Sequence, residues 1–278
     1  MSKKINEVRQ FWETNPLWTG ESQYKPGTKD FFEEHKQVCI NDCFAGKIDR
    51  RIFPKYLDKQ KILDLGCGPG FWTVEFALRG YKKIIAADLT NKALMLTQKR
   101  CKIYGVTTNL TQQNAEELGF KNNCFSHVNC QGVIHHTPNT KACIREIARV
   151  LDKNGTAVIS VYYRNIFLRA WPLFKWLARL LIKMRVKFIG RGRENIYFVD
   201  DVNELVRLFD GKNNPIGKAY TRKEFIQMLK PYFNIQEIYY HYFPARFLPF
   251  KIPKILHKFL DRYVGFMIYA TVKKKNNL

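Results

Sequence analysis

A short apolar run that ends in a glycine-rich turn constrains the fold of this 278-residue chain more than any other feature. Residues 62–71 read Ile-Leu-Asp-Leu-Gly-Cys-Gly-Pro-Gly-Phe, so a strand is followed by Gly66, Gly68 and Gly70. Because glycine has no Cβ, this backbone can turn sharply and approach a ligand closely. Asp64 adds a carboxylate at the end of the strand. The spacing differs from the Gly-x-Gly-x-x-Gly turn that binds phosphates, and it predicts a cradle for a ligand with a cationic group.

Apolar runs and helical patterns alternate along the chain after this turn. Strands are predicted over 61–65, 83–88, 108–112, 126–131, 155–162, 234–243 and 263–273. Helices are predicted over 71–79, 91–104 and 139–151, and another begins with the capping box of Thr221 and Glu224. Such alternation favours a parallel sheet covered by helices on both faces. A length of 278 residues also favours one elaborated α/β domain over two independent domains.

Five elements follow one another in a characteristic order between residues 60 and 163. The glycine turn precedes a strand that ends at Asp88, and three segments follow at 113–118, 126–138 and 146–160. In these elements the chain resembles the class I S-adenosylmethionine (SAM) methyltransferases. The resemblance implies a doubly wound, Rossmann-like sheet of seven strands, whose last strand is antiparallel and lies between the fifth and the sixth. It also implies a helical N-terminal cap and a helical insertion after strand five.

The same resemblance implies SAM as the cofactor and assigns residues to its parts. Asp88, twenty-four residues after Asp64, would bind the ribose, and the segment around Asn114 would contact the adenine. This chain departs from the family at Asn114 and near Ser126, since the family more often has aspartate at both places. The predicted cofactor residues are Asp64, Gly66, Cys67, Gly68, Gly70, Asp88, Leu89, Asn114, Ala115, Glu116 and Gln131.

Methyl transfer from SAM requires little chemical machinery from the protein. The enzyme positions a nucleophile in line with the methyl group and, for a hydroxyl or a protonated amine, removes a proton. Candidates for that base follow the later strands: His135 and His136 after strand four, Tyr162 and Tyr163 after strand five, and His241 near the end of strand six. His136 is favoured because its loop follows strand four, although a histidine there could merely bond the backbone and transfer could proceed without a base. The seven cysteines form no Cys-x-x-Cys pair, and no metal site is predicted.

The formal net charge of +23, from 47 basic and 24 acidic side chains, implies an anionic partner. Residues 153–193 contain ten basic side chains and no acid. Lys175, Arg179, Lys183 and Lys187 recur every four residues and would form one stripe of a helix. Such a helix could roof the substrate site with snorkelling lysines, or it could lie on an anionic membrane surface. The predicted methyl acceptor is a small molecule with amphiphilic or anionic character.

The sequence divides into four predicted parts. These are an N-terminal helical cap (1–58), a SAM-binding core (59–163), a basic insertion (164–218) and a C-terminal completion of the sheet (219–278). A nucleic-acid methyltransferase and a non-catalytic partner subunit of the same fold remain alternatives. The polar N-terminus and the lack of a long uncharged apolar run predict a cytoplasmic protein, with membrane contact through 164–193 as a further option. Candidates for a lid over the cofactor are Trp12, Trp18 and Tyr24.

Overall fold

The apolar runs of the sequence form one mixed sheet. A computed structural model describes residues 2–55, 60–171, 173, 176, 179, 180, 183, 184, 199–247 and 251–276. Its strands are β1 (Lys61–Leu65), β2 (Lys83–Asp88), β3 (Asn109–Gln112), β4 (Phe125–Gln131), β5 (Leu151–Tyr163), β6 (Ala219–Tyr220), β7 (Phe233–His241) and β8 (Met267–Lys274). The α-helices in these residues are α1 (Lys3–Thr14), α2 (Lys29–Phe44), α3 (Phe71–Leu78), α4 (Asn91–Tyr104), α5 (Thr140–Val150), α6 (Ile166–Arg169), α7 (Val202–Phe209), α8 (Arg222–Leu229) and α9 (Lys254–Val264).

The strand order is β3-β2-β1-β4-β5-β8-β7, and the two-residue β6 pairs with β5. Strands β1 to β5 pair in parallel, whereas β8 is antiparallel to both of its neighbours, β5 and β7. The predicted doubly wound sheet, with its last strand antiparallel between the fifth and the sixth, is therefore confirmed, and the short β6 is an addition to it.

The centre of the sheet is buried on both faces. Ile62, Leu63 and Leu65 of β1 are almost fully buried, as expected for a parallel strand covered by helices on either side. The chain leaves β1 toward β2 on one side, and β4 lies on the other side. The strand order thus reverses between β1 and β4, and their carboxyl ends form the crevice in which doubly wound folds bind ligands.

The N-terminal cap is held over this edge of the sheet by specific contacts. The carboxylate of Glu13, in α1, accepts hydrogen bonds from the backbone N–H groups of Asn91 and Lys92 at 2.9 and 3.0 Å. A carboxylate is favourable at the N-terminus of a helix, here α4, because the first N–H groups have no partner within the helix. Helix α2 begins at a Thr28 cap, and its Phe32 packs near Leu96 of α4.

The start of the last strand and two helices differ from the prediction. Part of the predicted basic stripe lies outside the described residues. The last strand begins at Met267 rather than at residue 263, because Lys254–Val264 forms the unpredicted helix α9. Helix α7 is also unpredicted. Of the basic stripe, Arg179 and Lys183 are exposed, whereas Lys175 and Lys187 lie outside the described residues. Within the described part of the chain, no helix is long and apolar enough to cross a bilayer.

Candidate functional site

The glycine turn after β1 adopts a conformation that few other residues could take. Gly66, Gly68 and Gly70 have φ values of +73°, +52° and +75°. A Cβ on Gly66 would lie 2.2 Å from a methyl carbon of Val133, so the turn and the loop after β4 touch there. A Cβ on Gly68 would meet nothing within 4 Å. The two positions are therefore constrained differently: Gly66 by packing as well as by its backbone conformation, and Gly68 by its backbone conformation alone.

Asp88, at the end of the neighbouring strand β2, binds this turn through a hydrogen bond. Its Oδ2 accepts a hydrogen bond from the backbone N–H of Gly68 at 3.0 Å. Its Oδ1 accepts from the N–H and the hydroxyl of Thr90 at 2.9 and 2.8 Å. Burial raises the pKa of the Asp88 carboxyl, and the hydrogen bonds from Thr90 and Gly68 act in the opposite direction. The carboxylate thus stands at the carboxyl edge of the sheet beside the glycine turn.

A first cavity of about 150 Å³ opens between the glycine turn, Asp88 and helix α1. Seven of the predicted cofactor residues line it: Gly66, Gly68, Asp88, Leu89, Asn114, Ala115 and Gln131. Gln113, in the predicted adenine segment, also lines the cavity, whereas sequence reasoning missed other residues of its wall, among them Ile5, Val8, Thr90, Val133 and Thr137. Trp12, a predicted lid residue, also lines the cavity. The first cavity thus occupies the crevice where the strand order reverses.

Asp64 does not line the first cavity. Its side chain is 1% exposed, and its oxygens accept hydrogen bonds from the Thr73 hydroxyl at 2.6 Å and the Asn129 amide at 2.8 Å. Burial raises the pKa of Asp64 to about 6, although these hydrogen bonds favour the ionised form. The carboxylate joins β1 to α3 and β4 beneath the turn. Asp64 thus supports the turn from beneath, and contact between its charge and a cationic ligand group stays a prediction.

Three more predicted cofactor residues lie beside the first cavity without lining it. The Cys67 thiol is buried 3.5 Å from the Thr97 hydroxyl. Gly70 caps the N-terminus of α3. Glu116 accepts a hydrogen bond from the backbone N–H of Asn139 at 2.5 Å, which ties the segment after β3 to the start of α5. These three residues support the segments that form the walls of the first cavity, without lining the cavity themselves.

A second cavity of about 230 Å³ adjoins the first. The two share Trp12, Leu17, Gln131, Gly132 and His136. Aromatic side chains form much of the second wall: Trp18, Phe44, Trp72, Tyr162, Phe209, Tyr242 and Tyr269. Tyr24, the third predicted lid residue, is exposed and lines neither of these two cavities. Two adjoining cavities can hold two reactants side by side.

His136 stands where the two cavities meet, in the 3-10 turn after β4. Its Nδ1 lies 2.8 Å from the carbonyl oxygen of Ile216. A carbonyl only accepts, so this nitrogen donates and the other, Nε2, is left with a lone pair in the neutral ring. Nε2 is 3.5 Å from Oδ2 of Asp210, and both carboxylate oxygens of Asp210 accept from the Tyr162 hydroxyl.

Two of the predicted bases, Tyr163 and His241, lie outside both cavities. Tyr163 is on the opposite face of β5 from Tyr162, and its ring packs 4.7 Å from that of Tyr240. His241 is buried between two carboxylates: its Nδ1 is 2.7 Å from Asp261 and its Nε2 is 3.0 Å from Asp49. Burial lowers the pKa of His241, but the hydrogen bonds to these carboxylates outweigh it and raise the pKa above its usual value. Among the five candidates, His135 and Tyr162 line the second cavity, and only His136 lines both.

Charged residues in the wall of the second cavity are mostly acidic. Glu21, Asp42 and Asp210 line it, together with Arg246. The Arg246 guanidinium lies 2.7 Å from Glu21 and 2.8 Å from Asp42, so its charge is offset within the wall. The large positive charge of the chain is therefore not concentrated in this cavity.

The first cavity fits a cofactor that carries an ammonium group and a nucleoside. Gln131 Oε1, at the junction of the two cavities, is a buried acceptor with no hydrogen-bond partner among the described residues. Such an acceptor suits a donor from a bound ligand, because a buried polar atom left without a partner is costly. Asp88 and Asn114 offer a carboxylate and an amide in its wall, which can hydrogen-bond the hydroxyls and the base of a nucleoside. Fold and site together define a doubly wound α/β protein of the nucleoside-cofactor-binding class.

Comparisons with known proteins narrow this class. The profile of a methyltransferase domain matches residues 63–159. A ubiquinone biosynthesis O-methyltransferase from Pseudomonas putida is 30% identical over 176 residues, which cover 63% of this chain and 67% of that protein. A ubiquinone/menaquinone biosynthesis C-methyltransferase from Vibrio cholerae is 32% identical over 141 residues, which cover 47% of this chain and 54% of that protein. Across several O-methyltransferases of this type, the match spans 53% to 73% of the relative's length.

A solved SAM-dependent methyltransferase from Methanosarcina mazei shares the fold, with a TM-score of 0.56 at 18% identity. The alignment covers 82% of this chain and 98% of that one. The chain belongs to the class I SAM-dependent methyltransferases, and SAM is its cofactor.

Proposed function

We propose that this chain transfers the methyl group of SAM to a small amphiphilic acceptor held in the second cavity. The observation that carries the proposal is the junction of the two cavities at Gln131, Gly132 and His136. A donor in the first cavity and an acceptor in the second would meet there, which is the arrangement that in-line displacement requires. Bound SAM supplies a methyl group activated by its sulfonium.

His136 is proposed to accept the proton that the acceptor loses. Its Nδ1 donates to the Ile216 carbonyl, and this fixes the tautomer that leaves Nε2 able to accept. Asp210 stands 3.5 Å from Nε2 and would stabilise the imidazolium once the proton has moved. The Tyr162 hydroxyl holds the Asp210 carboxylate in place. This chemistry suits an acceptor hydroxyl or amine, since either releases a proton on methylation.

The walls of the second cavity support an aromatic acceptor. Rings of Trp72, Tyr162 and Tyr269 line it, and flat rings pack well against aromatic side chains. The acidic wall disfavours an anionic group inside the cavity. A phenol with an apolar tail meets these conditions, and the relatives named as ubiquinone biosynthesis methyltransferases point to acceptors of the same kind. The nucleic-acid alternative would instead require a basic groove beside the methyl site.

The variant His136→Asn tests the proposed base. Asparagine keeps an N–H near the position of Nδ1 but has no counterpart of Nε2, so it removes the base with little change in shape. With a phenolic acceptor, kcat should fall by roughly 10²–10⁴-fold, the usual contribution of a general base, while SAM affinity stays near that of the wild type. His257→Asn, which alters a histidine outside both cavities, is the matched control and should keep full activity.

The acceptor class is tested by supplying radiolabelled SAM with polyprenylated catechols, with simple amines or with total RNA. Label in the catechol fraction would support the proposal. Label in RNA alone would contradict it and favour the nucleic-acid alternative. An unchanged kcat in His136→Asn, with label still in the catechols, would leave the acceptor assignment standing and exclude His136 as the base.

A further inference from the structure

Helix α9 buries an acidic side chain and exposes its apolar side chains, which is the reverse of an ordinary surface helix. Its one fully buried residue is an acid, Asp261, which is 3% exposed. Ile255 and Phe259 are 85% and 56% exposed, and Leu256 and Tyr263 are exposed as well. Amphipathic helices of globular proteins normally bury their apolar stripe and expose their charges. The apolar stripe of α9 therefore faces away from the protein.

A buried ion pair fixes this orientation. Asp261 Oδ2 is 2.7 Å from His241 Nδ1, and its Oδ1 accepts from the backbone N–H of Tyr242 at 2.8 Å. His257 also faces inward, with Nε2 2.8 Å from the carbonyl oxygen of Phe243. Rotating the apolar stripe inward would expose the acid and break these bonds. The outward apolar face is thus part of the folded state.

Basic side chains flank the apolar stripe. Lys254, Lys258 and Arg262 are exposed and recur every four residues, so they form a row along one side of it. Asp261, which is buried, is the only acid between residues 238 and 278. Helix α9 therefore has no exposed acid of its own to offset the positive charge of this row.

A neighbouring segment extends the exposed apolar surface. The Asn165 amide donates to the carbonyl of Val264 at 2.8 Å, and this bond joins the start of α6 to the end of α9. Ile166 and Phe167, in the first turn of α6, are exposed. We call the combined patch the docking surface; it consists of Ile166, Phe167, Ile255, Leu256, Phe259 and Tyr263.

We propose that the docking surface binds an anionic phospholipid bilayer. An apolar stripe with aromatic rings, flanked by lysine and arginine, is the composition by which helices lie in the headgroup region of such membranes. The basic row is complementary to acidic headgroups, and the lysine stems can extend along the apolar surface toward them. The apolar residues would enter the outer part of the hydrocarbon, while the helix lies parallel to the surface.

The docking surface is also connected to the second cavity. Asp261 bonds the backbone of Tyr242, and Tyr242 lines that cavity. Membrane binding through α9 would therefore hold the second cavity next to the bilayer, which is where an amphiphilic acceptor resides. This last step rests on the proposed function, whereas membrane binding itself does not.

Co-sedimentation of the full chain with vesicles tests the proposal, without SAM or acceptor. The wild type should sediment with vesicles of equal parts phosphatidylglycerol and phosphatidylcholine at low salt, and much less at high salt. It should not sediment with phosphatidylcholine alone. The double variant Ile255→Glu with Phe259→Glu should lower the bound fraction about tenfold. Leu78→Glu with Met95→Glu makes the same charge change at exposed positions of other helices, and it should alter binding less than about twofold.

Wild-type SAM affinity and thermal midpoint in both double variants will show that each is folded. Failure of the wild type to sediment with phosphatidylglycerol vesicles would overturn the proposal. So would equal sedimentation of the α9 variant and the wild type. Loss of binding only in Arg179→Glu with Lys183→Glu would assign the membrane to the basic insertion instead. Self-association that Phe259→Glu abolishes, with no vesicle binding, would make the docking surface a subunit interface.

Discussion

At the scale of single residues, a comparison of Gly68 with Gly105 distinguishes the effect of a glycine on ligand binding from its effect on the stability of the fold. Both Gly68 and Gly105 have a positive φ, at +52° and +64°, and a Cβ on either would meet nothing within 4 Å. Gly68 lines the first cavity, whereas Gly105 ends helix α4. Alanine at either position should cost about 1 kcal/mol of stability, because left-handed backbone is unfavourable for residues with a Cβ.

The two alanine variants should differ in SAM affinity. Gly68→Ala puts a methyl group into the first cavity and should weaken SAM binding at least about tenfold, because the backbone there must approach the cofactor closely. Gly105→Ala should change the affinity less than about twofold, since it lies away from the cavity. Titration calorimetry on both proteins measures the difference. Equal affinities would mean that SAM does not contact the turn at Gly68.

The sequence predicts residues of this site well where one local pattern sets both conformation and position. The glycine turn and Asp88 belong to such a pattern, and Gly66, Gly68 and Asp88 line the first cavity. Asp64 shows the limit of that reasoning. A strand-end acid can face the ligand or turn beneath the loop, and the choice depends on donors that are distant in sequence, here the Asn129 amide.

At the scale of secondary-structure elements, His241 joins three parts of the chain. It ends β7, and its ring lies between Asp261 of α9 and Asp49 of the segment before β1. Because the carboxylates raise the pKa of His241 in the folded state, its stabilising contribution is complete below the unfolded pKa, about 6.5. That contribution is lost as the pH rises through the raised folded pKa. The contacts among these three parts should therefore weaken in alkaline solution.

His241→Asn removes the charge and the bond to Asp49 while leaving an N–H near Asp261. It should lower the free energy of unfolding by about 3 kcal/mol at pH 6, because the buried Asp261 loses its cation, while Asp49 keeps its ion pair with Arg51. The loss should shrink toward pH 9, where the wild-type histidine is also becoming neutral. Urea unfolding at the two pH values measures it, with His257→Asn as the control for a histidine that bonds only a carbonyl. A loss that does not depend on pH would show that His241 is neutral in the folded protein.

Secondary structure was predictable where packing and local pattern agree. Strands β1 and β2 are apolar runs largely buried in the sheet, and their predicted bounds match those observed. Strand β3 is polar and partly exposed, yet its predicted bounds also lie close to those observed. Helix α9 was not predicted from the sequence, which instead placed the last strand from residue 263. Its periodicity also could not reveal which face is buried, because the deciding contact between Asp261 and His241 is tertiary.

At the scale of the whole molecule, the N-terminal cap closes the cofactor site from outside the sheet. Ile5, Val8 and Trp12 of α1 line the first cavity, and Glu13 attaches the end of α1 to α4. The aromatic residues of this segment suggested a lid, but only the folded chain shows that α1 lies over the first cavity and α2 lines the second. A cofactor in the first cavity would therefore contact both the sheet edge and the cap.

Hydrogen exchange should report this coupling between cofactor and cap. Saturating SAM should slow amide exchange in α1 at least about tenfold, because the bound cofactor adds contacts that local opening of the helix must break. Exchange in α9, on the far side of the second cavity wall, should stay unchanged. Trp12→Ala should weaken both SAM affinity and this protection, whereas Trp176→Ala, at an exposed tryptophan outside the two cavities, should leave both near wild type. Unchanged exchange in α1 with SAM bound would mean that only Glu13 and the apolar contacts of α1 hold the cap in place. It would also mean that SAM enters the first cavity by a route other than displacement of α1.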